Sequence, residues 1–343
     1  MNTRTQLSIL TFTCYFLQEF YCFSQLFPGN LPIRNYSYTE YGAQKTISAI
    51  TQDKRGVMYF GNNFGVLEYD GVQWRLIETQ YDTEVKSLSA DTNGIIYVGA
   101  LREMGYLSPD SLGKLQFKSL LNYLSEPDQD FSYVWETIAT REGVYFRTNE
   151  KLFRWNGFRS GSSSSSDSSY FPISNSYFPS SSNRIKVWDT ETAFHVMFYV
   201  YGDIYVRQWE IGLMKMVDDS LVLVQGGEQF ANIRIYGMYP YKKNKILIVT
   251  SGKGLFIMSM DGHVHPLQTQ ADDFLINNDI YLGAYIPGIK TDHYAIGSRN
   301  NGMVIINSEG NIIRYINEST GINNDIIFFQ YLDSKKKDRK SVV

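Results

Sequence analysis

Histidine, carboxylate and hydroxyl side chains are the groups of this chain that could do chemistry. His263 and His265 stand two apart, so on a strand they share a face and could grip a metal. No third histidine or carboxylate accompanies them at ligand spacing, and a pair on an edge strand is the plainer reading. Glu126 to Asp130 and Asp272-Asp273 read as acidic loops. Acid–base work by paired carboxylates needs surroundings that split their pKa values, and nothing in the flanking sequence marks such surroundings. Ser162 to Ser166 lack the strand-turn-helix setting of a nucleophile, and Gly252 to Gly254 lack the following helix that a phosphate loop requires. The expectation is a protein without catalytic residues, bound metal or cofactor. What remains is the chemistry of recognition, in which polar turn residues and an aromatic platform orient a ligand.

The elements that would position such residues come from a strand-rich unit repeated roughly every 40 to 50 residues. Its clearest copy holds Ile47 to Ile50, Asp53 to Gly56, Val57 to Gly61, Gly65 to Gly71 and Trp74 to Ile77. Three turn signals separate four short runs rich in β-branched and aromatic residues, which predicts a four-stranded meander. Asp70-Gly71 is the strongest local signal and predicts a tight hairpin, because glycine accepts positive φ at no steric cost. A second copy runs from Val85 to Leu107, and a third from Thr137 to Gly157. The fourth is read from Ile185-Lys-Val-Trp188 to Met214, the fifth from Lys245 to Gly262, and the sixth from His293 to Gly310. A seventh begins at Asn324 and reaches Asp333. The fold class this predicts is all-β, a β-propeller of four-stranded meander blades, about six with the start of a seventh and an incomplete ring. An open ring leaves unpaired strand edges that invite aggregation.

In a four-stranded meander, the turns between second and third strands share a face with the links between blades. Six such turns follow from the repeats: Asn62-Asn63, Arg102-Glu103, Asn149-Glu150, Gln208 to Glu210, Ser251 to Lys253 and Arg299 to Asn301. The candidate ligand-binding residues are Arg102, Glu103, Gln208, Trp209, Lys253, Arg299 and Asn300. Arg102, Trp209 and Arg299 lead because arginine and tryptophan concentrate binding energy at interfaces. The competing reading makes all of these ordinary turn residues chosen for backbone geometry. Most of the abundant tyrosines and phenylalanines fall on expected strands, where packing between blades explains them. Gly61, Gly99 and Gly297, at the ends of second strands, are read as permitting close backbone approach.

The 343 residues suffice for one propeller, and a formal net charge of −3 gives no support for nucleic-acid binding. Residues 1–24 read as a signal peptide, with Arg4 ahead of an apolar stretch from Leu7 to Leu17 and Ser24 at a small-residue cut site. A spanning helix needs about 20 apolar residues, and nothing later supplies one. Both cysteines, Cys14 and Cys22, lie in that leader, so the exported chain would depend on packed sheets alone. Residues 25–333 are the propeller repeats, interrupted by a Ser-rich low-complexity insertion at 159–184 that is placed between the third blade's outer strand and the fourth blade's first. Residues 334–343 read as a basic tail of foreign appearance on a product that stops early, the lysine run hinting at a slipped reading frame.

The stretch Leu31 to Ser37, Glu40-Tyr-Gly42, Gln52 to Asn63 and Gly65 to Ile77 resembles the two-component regulator propeller family. The likeness covers Leu31 to Asp333 and rests on the repeated Asp-x-x-Gly-apolar-aromatic-aromatic-Gly motif with a following Asp-Gly. Tyr59, Tyr97 and Tyr145 stand where that family often has tryptophan, and Asn62 where it often has threonine. The resemblance implies a periplasmic or secreted sensory propeller for a small molecule or oligosaccharide. In intact relatives it is followed by a β-sandwich and a membrane-spanning output region, with a dimeric assembly and an output such as a histidine kinase. This chain stops before all of those segments. Two rival readings are a propeller enzyme acting on polysaccharide and a scaffold that binds another protein.

Overall fold

The structure, a computed structural model, describes residues 35–157, 184–288, 290–322, 325–332 and 338–342. The leader with its two cysteines, residues 159–183 of the Ser-rich insertion and residues 333–337 lie outside the described residues.

Blade one is β1 (Ile47–Gln52), β2 (Met58–Asn62), β3 (Gly65–Tyr69) and β4 (Trp74–Ile77); blade two is β5 (Val85–Ala90), β6 (Ile96–Ala100), β7 (Glu103–Pro109) and β8 (Leu115–Ser119). Blade three is β9 (Glu136–Ala139), β10 (Val144–Arg147), β11 (Lys151–Trp155) and β12 (Ile185–Asp189). Blade four is β13 (Phe194–Val200), β14 (Asp203–Gln208), β15 (Gly212–Val217) and β16 (Ser220–Leu223). Blades five and six are β17 (Ile235–Tyr241) to β20 (Val264–Leu267), through β18 (Lys245–Thr250) and β19 (Leu255–Met258), and β21 (Ile280–Ile286) to β24 (Ile312–Ile316), through β22 (His293–Ser298) and β23 (Met303–Asn307). A seventh sheet holds two strands, β25 (Ile327–Leu332) and β26 (Asp338–Val342). Every sheet is an antiparallel meander, so the protein is an all-β propeller.

The first strands β1, β5, β9, β13, β17, β21 and β25 each pack against the next, and β25 packs against β1. The ring is therefore closed at its inner edge, although its last blade has only two described strands. Residues 338–342, read from the sequence as part of a tail, pair with β25 from Leu332↔Asp338 to Ile327↔Val342. Ladder hydrogen bonds need backbone rather than particular side chains, which is why a basic stretch can serve as a strand.

Ile185 to Trp188 is the other correction. It is the outer strand of blade three, paired with β11 from Trp155↔Ile185 to Lys151↔Asp189, and not the first strand of blade four. The insertion thus departs from a hairpin between the third and fourth strands of one blade, and the register closes across it.

Seven apolar clusters hold the ring, one between each pair of neighbouring blades. Between blades three and four, Tyr145 and Leu152 meet Phe194, Met197, Ile204 and Val206. Between blades seven and one, Tyr331 packs on Ile47, Ile50, Met58 and Leu67. This arrangement follows from period-two alternation: a strand buried on both sheet faces reads as continuously apolar, as in Lys245-Ile-Leu-Ile-Val-Thr250.

The Asp-x-x-Gly motif closes the hairpin between first and second strands. Asp53 Oδ1 accepts from the amides of Arg55 and Val57 at 2.9 and 3.0 Å, and Asp91 Oδ1 does the same for Asn93 and Ile95 at 2.8 and 2.9 Å. Gly56 and Gly94 take the positive φ, 89° and 88°, that ends each turn. Asp70-Gly71 closes a four-residue loop, since Tyr69 pairs with Trp74, rather than a two-residue hairpin. Asp70 Oδ1 accepts from Val72 and Gln73 amides at 2.8 Å, and so caps the longer loop.

Candidate functional site

Six of the seven first strands enter the ring with the same irregularity. In β1, β5, β13, β17, β21 and β25 the register shifts by one residue after the opening apolar position, leaving an extra residue outside the ladder. A bulge of this kind frees a side chain from the in-and-out alternation and re-aims it. The bulged residues include Ser48, Lys86, His195, Tyr236 and Tyr281. Trp135, immediately before β9, occupies the matching place after Val134, its amide donating to Arg147 O at 2.9 Å.

These positions lie on the face of the links and of the turns between second and third strands, and several of them touch. His195 meets Tyr236 at 5.6 Å between ring centroids, and Tyr236 meets Tyr281 at 5.3 Å. His195 also meets Trp209 at 5.3 Å, and the guanidinium of Arg299 lies 4.7 Å from the Tyr281 ring. A continuous line Trp209–His195–Tyr236–Tyr281–Arg299 thus crosses blades four, five and six along the inner rim. On blades two and three, Lys86 stands over Tyr133 at 5.2 Å and Trp135 at 5.8 Å, and pairs with Glu84.

Cations accompany the aromatic line. Arg207, the residue before Gln208 on β14, is fully buried and stacks on Trp209 with its guanidinium carbon 3.6 Å from the ring centroid. Arg234, exposed in the link into β17, lies 5.9 Å from the same ring. Arg147 is the equivalent of Arg207 in blade three, where it pairs with Glu136 and donates to Asn149 Oδ1 and Phe194 O at 3.0 Å. Burial, reinforced by Arg207, Arg147 and Arg234, pushes the His195 imidazole down to about 3, so the ring is neutral at physiological pH.

The sequence-derived candidates divide. Trp209 and Arg299 stand at the two ends of the line. Arg299 is held by Asp279, at 2.6 Å from Nη2 and 2.8 Å from Nε, and Asn300 Oδ1 accepts from the Asp279 amide at 3.2 Å. Glu103 is wholly buried; Thr83 Oγ1 donates to its carboxylate at 2.5 Å, so it braces the link from blade one and offers nothing to solvent. Gln208 likewise turns inward, its Nε2 donating to Thr190 Oγ1 and Thr192 Oγ1 at 2.7 and 3.1 Å. Asn62 makes the same brace in blade one, donating to Gln44 O and Thr46 O at 2.7 and 2.9 Å. Arg102 is 67% exposed, 3.7 Å from Asp130, and Lys253 is exposed at its turn; neither joins the line. Sequence reasoning missed Arg207, His195, Tyr236 and Tyr281. The signal for the last three was an apolar residue followed by a polar or aromatic one at the head of the first strand, as in Val85-Lys86, Val134-Trp135, Phe194-His195 and Ile280-Tyr281.

The residues first weighed for chemistry have structural places. His265 lies on the outer strand β20, and His263 is exposed 3.8 Å from Asp261. Asp272 Oδ1 accepts from the amide and hydroxyl of Thr269 at 3.0 and 2.7 Å at the head of a short helix, α1 (Asp272–Asn277). Asp128 accepts from Lys151 Nζ at 3.1 Å. Among the described residues no group of three or more His, Cys, Asp or Glu is placed to hold a metal ion, and no helix is long and apolar enough to cross a membrane. A groove on the opposite face, lined by Arg154 and Asp219 among others, is internally neutralised: Asp219 pairs with Arg154 and with Lys186 at 2.9 Å.

No protein-family model matches the chain, and no curated protein matches it. Solved structures do. The chain is similar to the extracellular domain of the putative hybrid two component system BT3049 from B. thetaiotaomicron, with TM-score 0.60 and 15% identity over 90% of this chain and 40% of that one. The extracellular domain of the putative hybrid two component system BT4673 from the same organism gives TM-score 0.58 and 14% identity over 86% and 37%. This chain therefore spans about two fifths of those domains. A streptogramin B lyase structure is also similar, with TM-score 0.60 and 10% identity over 91% and 93%. At these identities the likeness shows the propeller fold, which hosts both kinds of protein.

Proposed function

We propose that this chain is the ligand-sensing propeller module of a two-component-type, membrane-spanning regulator, that it works in the periplasm or outside the cell, and that it is not an enzyme. The observation that carries the reading is the line from Trp209 to Arg299 on one rim, made by three neighbouring blades. Aromatic rings set among guanidinium and hydroxyl donors suit an oligosaccharide, whose ring faces stack while its hydroxyls hydrogen-bond. The likeness to extracellular domains of hybrid two-component systems supports the same reading, as do the regulator-propeller motifs of the sequence. The carboxylates close to the rim, Glu136 and Asp279, are each tied to an arginine, which suits a structural role better than proton transfer.

Ligand at a rim shared by several blades would bias how those blades sit. A regulator needs such a bias, because a ligand shifts an equilibrium only by its differential affinity for the two states. The receiver of that bias would be a following β-sandwich and membrane output region. The test is a panel of oligosaccharides applied to the exported chain and to Trp209→Ala. Selective sugar binding that the substitution weakens at least tenfold is expected. Capture of a protein partner with no sugar binding would favour a scaffold, and turnover of a polysaccharide would favour an enzyme.

A further inference from the structure

Arg207 is 0% exposed, yet it has no carboxylate partner among the described residues. Its Nε donates to Phe230 O at 3.0 Å and its Nη2 to Ala231 O at 2.5 Å, both neutral carbonyls, while Nη1 has no hydrogen-bond partner. Blade three shows what a balanced version looks like. There Arg147 faces Glu136 across the β9–β10 pair and is neutralised by it. The same cross-strand place opposite Arg207 is Val196. A buried cation without a counter-charge costs several kcal/mol, and proteins otherwise pair or remove it.

The surroundings add to the imbalance. Arg234 lies near the same Trp209 ring, with no ion pair among the described residues, and His195 beside that ring has an Nδ1 without a partner. Burial, and then Arg234, pushes the Arg207 guanidinium down to about 10, the direction a missing anion produces. Trp209 covers one face of the guanidinium, and Nη1 is the nitrogen left to donate to an oxygen of a carboxylate or sulfate.

We infer that Arg207 and Arg234 hold an anionic group of the ligand, so that the saccharide recognised at this rim is acidic, bearing a carboxylate or a sulfate. The assignment deepens the sensor reading and rests on it for the sugar part only; the anion site itself stands on Arg207. Tyr236 and Tyr281 then supply the wall for the sugar rings that follow the charged one.

The experiment measures thermal midpoints of the exported chain in sodium glucuronate, sodium sulfate and sodium chloride at equal ionic strength, for wild type, Arg207→Met and Arg234→Gln. Calorimetry with a uronate tetrasaccharide and a neutral hexose tetrasaccharide accompanies it. A midpoint raised by glucuronate or sulfate over chloride in wild type, cut by half or more in Arg234→Gln and lost in Arg207→Met, is expected; which anion acts tells carboxylate from sulfate. The uronate should bind wild type at least tenfold tighter than the neutral sugar, and lose that advantage in both variants. Arg234 is exposed, so its variant keeps the test valid if Arg207→Met does not fold. No anion-specific rise in wild type, or the same rise in all three proteins, overturns the inference. Neutral sugar bound as tightly as uronate, and equally by the variants, overturns it while leaving a sugar sensor. Anion-specific stabilisation without saccharide binding upholds the anion site and removes the sugar reading.

Discussion

At the residue scale, one register position decides much of the site. The register position near the end of the second strand holds Gly61, Gly99 and Gly297 in blades one, two and six, but Arg147 and Arg207 in blades three and four. Where it is glycine, a Cβ would press on the next blade, at 3.0 Å from Val85 for Gly61 and 2.5 Å from Val134 for Gly99. Where it is arginine, the side chain reaches into the next blade or link and hydrogen-bonds its carbonyls. The glycines read correctly from the sequence as points of close approach. The arginines escaped notice because a single arginine at a strand end looks like a solvated residue until its burial is known.

His195 gives the residue-scale prediction. Its folded pKa lies below the ordinary value, so between about pH 6.5 and 3 the unfolded chain binds a proton that the folded chain does not. Stability is then full above pH 6.5 and falls as the pH drops, by up to about 1.4 kcal/mol per pH unit for one proton. His195→Gln should flatten that part of the profile. Urea midpoints of the two proteins between pH 7 and 4 check it, and parallel profiles would contradict it.

At the element scale, the turns carry the repeat. Asp53 is buried and accepts from two amides, from Arg55 Nε at 2.9 Å and from Tyr59 OH at 3.3 Å. Asp53→Ala should cost ~2 kcal/mol in urea unfolding, as expected for several bonds to a buried carboxylate. Asp70→Ala, which removes two amide bonds at an exposed turn, should cost under ~1 kcal/mol. Glycine offers a sharper comparison. Gly65 at φ 134° would drive a Cβ into Ile77 O, whereas Gly71 at φ 103° has open space around it. Gly65→Ala should therefore lose more than ~2 kcal/mol and Gly71→Ala about 1 kcal/mol, the backbone strain alone. Equal losses would contradict the packing argument.

Elements were legible where turn chemistry repeats. Asp-x-x-Gly placed the strands of blades one and two, and the glycine at the head of the third strand those of blades one, five and six. Ile185 to Trp188 was assigned to the wrong blade because pairing is a matter of space: a long insertion separates Trp155 from Ile185 along the chain, yet the two are opposite one another in the sheet. The bulges were not legible in any single copy, since one extra residue leaves no compositional mark. Only lining up the heads of the first strands shows Lys86, Trp135, His195, Tyr236 and Tyr281 in one column. Trp209 and Arg299 were read as candidates because they sit on turns, while the rings that connect them sit on strands.

At the scale of the whole molecule, the ring depends on its smallest blade. β25 touches both β21 and β1, and Ile327 completes the cluster of Ala295, Met303 and Ile316. Removing residues 325–343 should expose that cluster and the Ile47–Ile50 edge together, giving a chain that binds hydrophobic dye and elutes as aggregates. A monomer with an unchanged thermal midpoint would show that the ring does not need its seventh blade.

The central claim is that ligand is bound where blades four, five and six meet on the rim of the links. Hydrogen–deuterium exchange with and without the tightest oligosaccharide of the panel tests it most directly. Protection is expected at the heads of β13, β17 and β21 and in the turn carrying Trp209, with the Asp-x-x-Gly turns of the other face unchanged. Protection on that other face, or spread evenly over all blades, would contradict it.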